Sequence, residues 1–147
     1  MNTAMTTAPI KPSATSGAEW PAAIGAELIA NRDNPRVGTR LLSCNDRVRV
    51  WEIRLKPGER IGFHRHVLDY FWTAVTSGEA FSRQEDGTTV EARYSAGQTQ
   101  HCAYGPGEYR IHDLENIGST DLVFTTVEFM QSANTPLLLS EVAAASA

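Results

Sequence analysis

The chain predicts an all-β fold on three observations. Short runs alternate apolar and polar residues, glycine-bearing turns separate them at near-regular spacing, and no strong helical period lies between them. Six or more such strands point to an antiparallel sandwich, barrel or jelly roll.

Residues 1–19 carry only Lys11 and Glu19 as charges and hold no large core-former beyond Ile10. This segment is expected to be a mobile tail, because it cannot bury enough surface to offset its ordering entropy. The segment "WPAAIGAELIANRDNP" then has Pro21 at a first helical position and Ile24 four residues before Leu28, so one short helix is expected, ended by "NRDNP". In "RVRVWEIRL" (47–55), Trp51, Ile53 and Leu55 fall on one strand face and Val48 and Val50 on the other, with "KPG" as the following turn. "YFWTAVT" (70–76) is aromatic and β-branched and stops at "SG"; "EAFSRQ" resumes the pattern, and Asp86-Gly87 signals a hairpin into "VEARY". After "SAG" (95–97) comes "QTQHCAYGPGEYRIHDLENIG", and after "NIGSTD" the most strand-like run of all, "LVFTTVEFM" (122–130). In the closing segment, the apolar patch Leu137 to Leu139 is expected to lie on the barrel or on a partner subunit.

Composition narrows the partners. With 147 residues the chain is long enough for one cored domain, since single domains run about 100 to 200 residues. A net charge of −4 with no basic run argues against nucleic acid and against anionic membrane, and no window approaches the roughly eighteen apolar residues of a membrane span. Cys44 and Cys102 match no disulfide framework or zinc ribbon, so a reduced, cytoplasmic setting is expected. No Ser-His-Asp spacing, phosphate-binding Gly loop or dinucleotide fingerprint supports a hydrolase, an NTPase or a dehydrogenase.

Chemistry gathers in "GERIGFHRHVLDYFW" (58–72). Side chains alternate across a strand, so His64 and His66 point to one side and can reach one ion, while Arg65 points away. Two neutral imidazoles on a rigid strand are half of a site for zinc, copper, iron or nickel.

The wider spacing resembles the first motif of the cupin superfamily: Gly, five residues, His-x-His, three or four residues, Glu, six residues, Gly. Here Gly58, His64, His66, Phe71 and Gly78 stand at those places, with Phe71 replacing Glu. The end of the second motif is similar to His112, three residues and Asn116, although Pro106 and Gly107 are adjacent and Gly97 lies four residues further from His112 than in the pattern. The resemblance implies a single double-stranded β-helix domain over 20–139 that opens with the short helical segment, with its motifs within 47–130 and a C-terminal tail at 140–147. His64, His66 and His112 would converge on a metal inside its mouth.

Lacking the carboxylate, the site is similar to the three-histidine iron sites of thiol and diketone-cleaving dioxygenases. The implied function is an iron(II) dioxygenase-type oxidoreductase acting on a small diketone-, hydroxyketone- or thiol-carboxylate-like substrate. Two readings stand beside it: a non-catalytic metabolite-binding cupin, and a lyase or isomerase using zinc, nickel or manganese. A homodimer is expected, as cupins commonly pair through their sheet edges.

Asp69, three residues beyond His66, and His101, beside Cys102, are candidate fourth ligands. Phe71 should face inward with Thr73 and Val75, and Tyr70 and Trp72 complete the expected pocket. Tyr70, Tyr104, Tyr109, Arg110 and Glu128 are candidates to supply a proton or orient an anion. Strand alternation puts Arg110 on the face of His112, which makes it the leading anion partner. Glu128 is assigned to a surface salt bridge, and Cys102 is read as a small buried hydrophobe.

Overall fold

The computed structural model describes residues 10–13 and 20–139. It contains β1 (Ile10–Ser13), α1 (Ala22–Ala30), β2 (Arg40–Cys44), β3 (Val48–Leu55), β4 (Arg60–His66), β5 (Tyr70–Ala74), β6 (Gly78–Arg83), β7 (Thr89–Tyr94), β8 (Thr99–Cys102), β9 (Arg110–Asn116) and β10 (Leu122–Phe129). The strands form two five-stranded sheets, ordered β1-β7-β6-β9-β4 and β2-β3-β10-β5-β8. Every pairing is antiparallel. The double-stranded β-helix expected from the motifs is the architecture found.

Of the segment read as a tail, Ile10–Ser13 pairs with β7, and the rest of it, with 140–147, lies outside the described residues. Among the described residues no helix is long and apolar enough to cross a membrane.

The alternation in β3 works as anticipated: Trp51, Ile53 and Leu55 are buried while Val48 and Val50 are half-buried on the other face. Ile53, Leu55, Ile61, Ala74, Ala80, Leu122 and Phe124 make one core cluster, on which Trp72, Tyr94 and Leu114 pack. Each Ile, Leu or Phe side chain among them contributes about 1.5 to 3 kcal/mol when fully buried. Val37, Leu41 and Trp51 form a second cluster that Leu139 covers, so the patch at 137–139 does lie on the barrel, although Leu138 is exposed. The Asp86-Gly87 turn joins β6 to β7, and Gly87 sits at φ 92°, a conformation that costs glycine little and other residues more.

β4 carries an irregularity that shapes the site. Ile61 is opposite Leu114 and His64 is opposite His112, so three steps along β4 match two along β9. The extra residue is a bulge at Gly62 and Phe63. Without it, Ile61 and His64 would face opposite sides; with it, Ile61 enters the core and His64 and His66 face the interior beyond it.

A bulge leaves backbone groups without ladder partners, and β4 is also an edge strand. α1 and the loop after it cover that edge. Phe63 donates its N–H to Glu27 Oε2 at 2.9 Å, and its carbonyl accepts from Asn31 Nδ2 at 3.2 Å and Asn34 Nδ2 at 3.0 Å. Arg65 N–H donates to the Asn34 carbonyl at 2.8 Å.

Candidate metal centre

His64, His66 and His112 are brought together between the sheets, each offering one ring nitrogen, all within 4.8 Å of one another. The first two come from one face of β4 and the third from the facing position on β9.

Each imidazole is held differently. His64 Nδ1 lies 2.8 Å from the Gly62 carbonyl, which can only accept, so Nδ1 carries the proton and Nε2 keeps a free lone pair. His112 Nδ1 lies 3.5 Å from Ser82 Oγ, a long contact, and Ser82 Oγ itself donates to the Asp113 carbonyl at 2.6 Å. The hydroxyl is thus an acceptor toward His112, which leaves His112 Nε2 free as well. His66 Nδ1 is buried with no hydrogen-bond partner; its ring is instead stacked on Tyr70.

Burial dominates the electrostatics. It pushes His64 down to about 4, against the pull of the Gly62 carbonyl and Asp113, and drives His66 and His112 well below the ordinary imidazole range, helped by the positive charge of Arg110. Neutral rings are what a cation requires, because a protonated imidazole has no lone pair to give. His66 Nε2 and His112 Nε2 are 3.1 Å apart. Two nitrogens each about 2.1 Å from one ion stand roughly 3 Å apart, so this pair is spaced for a shared cation. The cluster therefore could hold a metal ion.

A cavity of about 110 Å³ adjoins the three rings. Its apolar walls include Trp72, Tyr94, Leu114 and Phe124; its polar groups include Arg110, Gln100 and Thr126. Arg110 Nε donates to Gln84 Oε1 at 3.1 Å, Gln84 Nε2 donates to Ser82 Oγ at 2.9 Å, and Ser82 contacts His112, so a short hydrogen-bonded chain joins guanidinium to imidazole. Among the described residues no carboxylate pairs with Arg110.

Several expectations are corrected. Tyr70 and Trp72 do line the interior, but Phe71 and Thr73 face away from it, and Val75 is exposed. The parity of β5 follows from its neighbour: Trp72 pairs with the inward Thr126 and Ala74 with Phe124, so the odd-numbered residues turn outward, where Phe71 packs on His101 and Phe129. The position beside the three histidines belongs to Tyr70, which the three-residue form of the motif spacing reaches from His66. Burial holds the Tyr70 phenol well above its usual range, so it remains an O–H.

Neither proposed fourth ligand joins the cluster. Asp69 accepts the Tyr104 backbone N–H at 3.0 Å and so braces the β8–β9 loop, while His101 is exposed on the outer face against Phe71. Glu128 is not in a surface salt bridge: it is 3% exposed on the inner face and accepts Trp51 Nε1–H at 2.8 Å. It does not line the cavity. Tyr104 does not line the cavity but lies behind Tyr70, their rings 6.3 Å apart, and burial raises its phenol to about 12, against the charge of Arg110. Tyr109 is at the surface under Arg65. Cys102 is half-buried and stands opposite Tyr70 in the β5–β8 ladder, beside the wall of the site. Asn116 is structural, donating to the Leu55 and Thr120 carbonyls.

Ser82, Tyr94 and Gln100 also line the cavity, and Gln84 holds Arg110, although no motif marks any of the four. The alternation of "EAFSRQ" held the signal for two of them, since Ala80, Ser82 and Gln84 share one strand face.

No protein-family model and no curated protein matches the chain. Solved structures do. A cupin domain from Bordetella pertussis Tohama I is 28% identical, with a TM-score of 0.54, over 66% of this chain and 95% of that one. A conserved protein with a double-stranded β-helix domain from Klebsiella pneumoniae is 24% identical, with a TM-score of 0.49, over 69% of this chain and 76% of that one. An RmlC-like cupin family protein from Methanocaldococcus jannaschii is 22% identical, with a TM-score of 0.48, over 67% and 84%. Nearly the whole of the Bordetella cupin domain finds its counterpart here, in the same barrel that the two histidine motifs implied, and the chain belongs to the cupin superfamily.

Proposed function

We propose that this protein is a metal-dependent cupin enzyme, an iron(II) dioxygenase-type oxidoreductase acting on a small organic anion, with His64, His66 and His112 as ligands. One observation carries the reading: three neutral imidazoles, two buried and His112 half-buried, meet at a cavity whose guanidinium, Arg110, has no carboxylate partner among the described residues.

A divalent ion held there supplies Lewis acidity toward a substrate oxygen or sulfur and, as iron, a one-electron route to dioxygen. With no carboxylate in the donor set, His64, His66 and His112 would hold an ion through neutral nitrogens alone and would leave its charge unoffset toward an anionic or enolised substrate. Arg110 orients a carboxylate or enolate oxygen through paired N–H donors, held in place by Gln84. Trp72, Tyr94, Leu114 and Phe124 take the alkyl or aryl part and exclude water, which strengthens every charge interaction inside. Tyr70 keeps its proton on the phenol oxygen beside His66, where it serves as a neutral hydrogen-bond donor. The free thiols of Cys44 and Cys102 support the cytoplasm as its compartment.

The first test is metal analysis of freshly purified wild type, His64→Ala and His112→Ala, followed by oxygen uptake with diketone, hydroxyketone and thiol-carboxylate substrates. Metal in the wild type and its loss in both variants supports the site; equal metal in all three sinks it. Turnover without oxygen on a redox-inert metal would move the assignment to a lyase or isomerase.

A further inference from the structure

Glu27 lies on α1, outside the barrel, and lines no part of the cavity. We propose that it is nevertheless a positioning residue for the metal centre, acting through a single peptide plane in β4. The inference rests on the reading of His64 as a ligand.

The peptide bond between Gly62 and Phe63 has its carbonyl on one side and its N–H on the other, because a trans peptide is planar and its two polar ends point in opposite directions. At the outer end, the Phe63 N–H donates to Glu27 Oε2 at 2.9 Å. At the inner end, the Gly62 carbonyl accepts from His64 Nδ1 at 2.8 Å. Holding the N–H outward therefore holds the carbonyl inward, and the carbonyl sets which ring nitrogen of His64 carries the proton. With Nδ1 protonated, Nε2 is the nitrogen free to bind the ion.

The surroundings fix Glu27 in that role. Arg60 Nη1 and Nη2 donate to its two oxygens at 2.9 and 2.6 Å, a bidentate pair that leaves the carboxylate little freedom. A Cβ on residue 62 would stand 2.9 Å from Glu27 Oε2, so only glycine admits the carboxylate at this distance. Asn31 and Asn34 secure the Phe63 carbonyl, which holds the next peptide as well. Hydrogen-bonding partners behind a ligand typically govern about 10- to 100-fold in metal affinity.

Two readouts test the proposal on the full-length chain. The first, on metal-free protein, is the imidazole ¹⁵N spectrum, which reports the tautomer of His64. The second is titration with Co(II), whose visible bands report both affinity and coordination geometry. In Glu27→Ala, His64 is expected to lose its pure Nδ1–H tautomer, and Co(II) affinity to fall about 10- to 100-fold. Glu27→Gln keeps an acceptor for the Phe63 N–H and is expected to retain the wild-type tautomer and most of the affinity. Leu41→Ala, which weakens the distant cluster around Trp51, should leave both readouts unchanged. If Glu27→Ala does not fold, Gly62→Ala crowds the same carboxylate and is read in the same way. An unchanged tautomer and affinity in Glu27→Ala overturns the proposal. A wild type that binds no Co(II) removes His64 as a ligand, and the tautomer shift still decides whether Glu27 holds His64.

Discussion

The ring of Tyr70 lies parallel to that of His66, with centroids 4.2 Å apart and planes at 10°, on the inner face of the barrel. Since His66 Nδ1 has no hydrogen-bond partner, the stack and the 3.1 Å contact of Nε2 with His112 Nε2 are what hold this imidazole. A phenol thus occupies the neighbourhood in which the cupin motif places a carboxylate. Replacing it should separate shape from hydroxyl. Tyr70→Phe preserves the stacked face and is expected to bind Co(II) within about twofold of wild type, whereas Tyr70→Ala frees the ring and should lose about tenfold or more. Equal affinities in both variants would show that the stack does not orient His66.

Arg110 stands opposite His66 in the β4–β9 ladder, and its positive charge contributes to keeping all three histidines neutral. Removing that charge leaves the cavity uncharged at the place where an anion would be held. For Arg110→Gln, the affinity for a carboxylate probe such as benzoate should fall about 10- to 100-fold, the worth of roughly 1.5 to 3 kcal/mol in hydrogen bonds to a charged group. Benzamide, with no charge to pair, should bind both proteins alike. Calorimetric titration with the two probes decides it, and a parallel loss for both would mean that Arg110 shapes the cavity without reading charge.

The inward-facing pair was legible because alternation is local: His64 and His66 share a face whatever the rest of the strand does. His112 was legible because it is tied by spacing to Asn116 and the turn at Gly118. What could not be read is parity across an irregular or unanchored segment. Phe71 was placed inward because the motif admits three or four residues after His66, and only the pairing of Trp72 with Thr126 and of Ala74 with Phe124 selects Tyr70. The bulge in β4 depends on Glu27, Asn31 and Asn34, which lie about thirty residues away, so no local pattern shows it, although a lone glycine in a strand hints at one. β2 was missed because "RLLSC" buries only Leu41 and so carries no alternation. Glu128 was misplaced on a cost argument: burying a carboxylate is expensive, but here Trp51 and Arg49 offset part of the expense.

Asp113, next to His112, is fully buried and pairs with Arg60 Nε at 2.7 Å and Arg83 Nη1 at 2.8 Å, while accepting the Arg83 backbone N–H at 2.6 Å. Arg60 also joins Glu27, so the network links α1 to the strand bearing the third histidine. Taking out its central anion leaves two half-buried guanidinium groups without a shared partner. Asp113→Ala is expected to cost about 3 to 5 kcal/mol in urea unfolding. Arg93→Ala, which breaks an exposed pair with Glu79, should cost no more than about 1 kcal/mol. Comparable losses in the two variants would show that the buried network carries no special weight.

Glu128 gives the pH test. Burial lifts its carboxyl to about 7, against the Trp51 hydrogen bond and the charge of Arg49, from an ordinary value of 4.5. With the folded value above the unfolded one, the folded chain holds a proton that the unfolded chain releases. Its contribution to stability is therefore complete below pH 4.5 and is lost as pH rises through about 7. Glu128→Gln keeps an oxygen for the Trp51 N–H and removes the ionisation. It should match wild type near pH 4 and be more stable at pH 8, by roughly 1 to 3 kcal/mol. Urea unfolding at both pH values measures this, and a variant no more stable than wild type at pH 8 would mean that the ionised carboxylate is fully compensated by its neighbours.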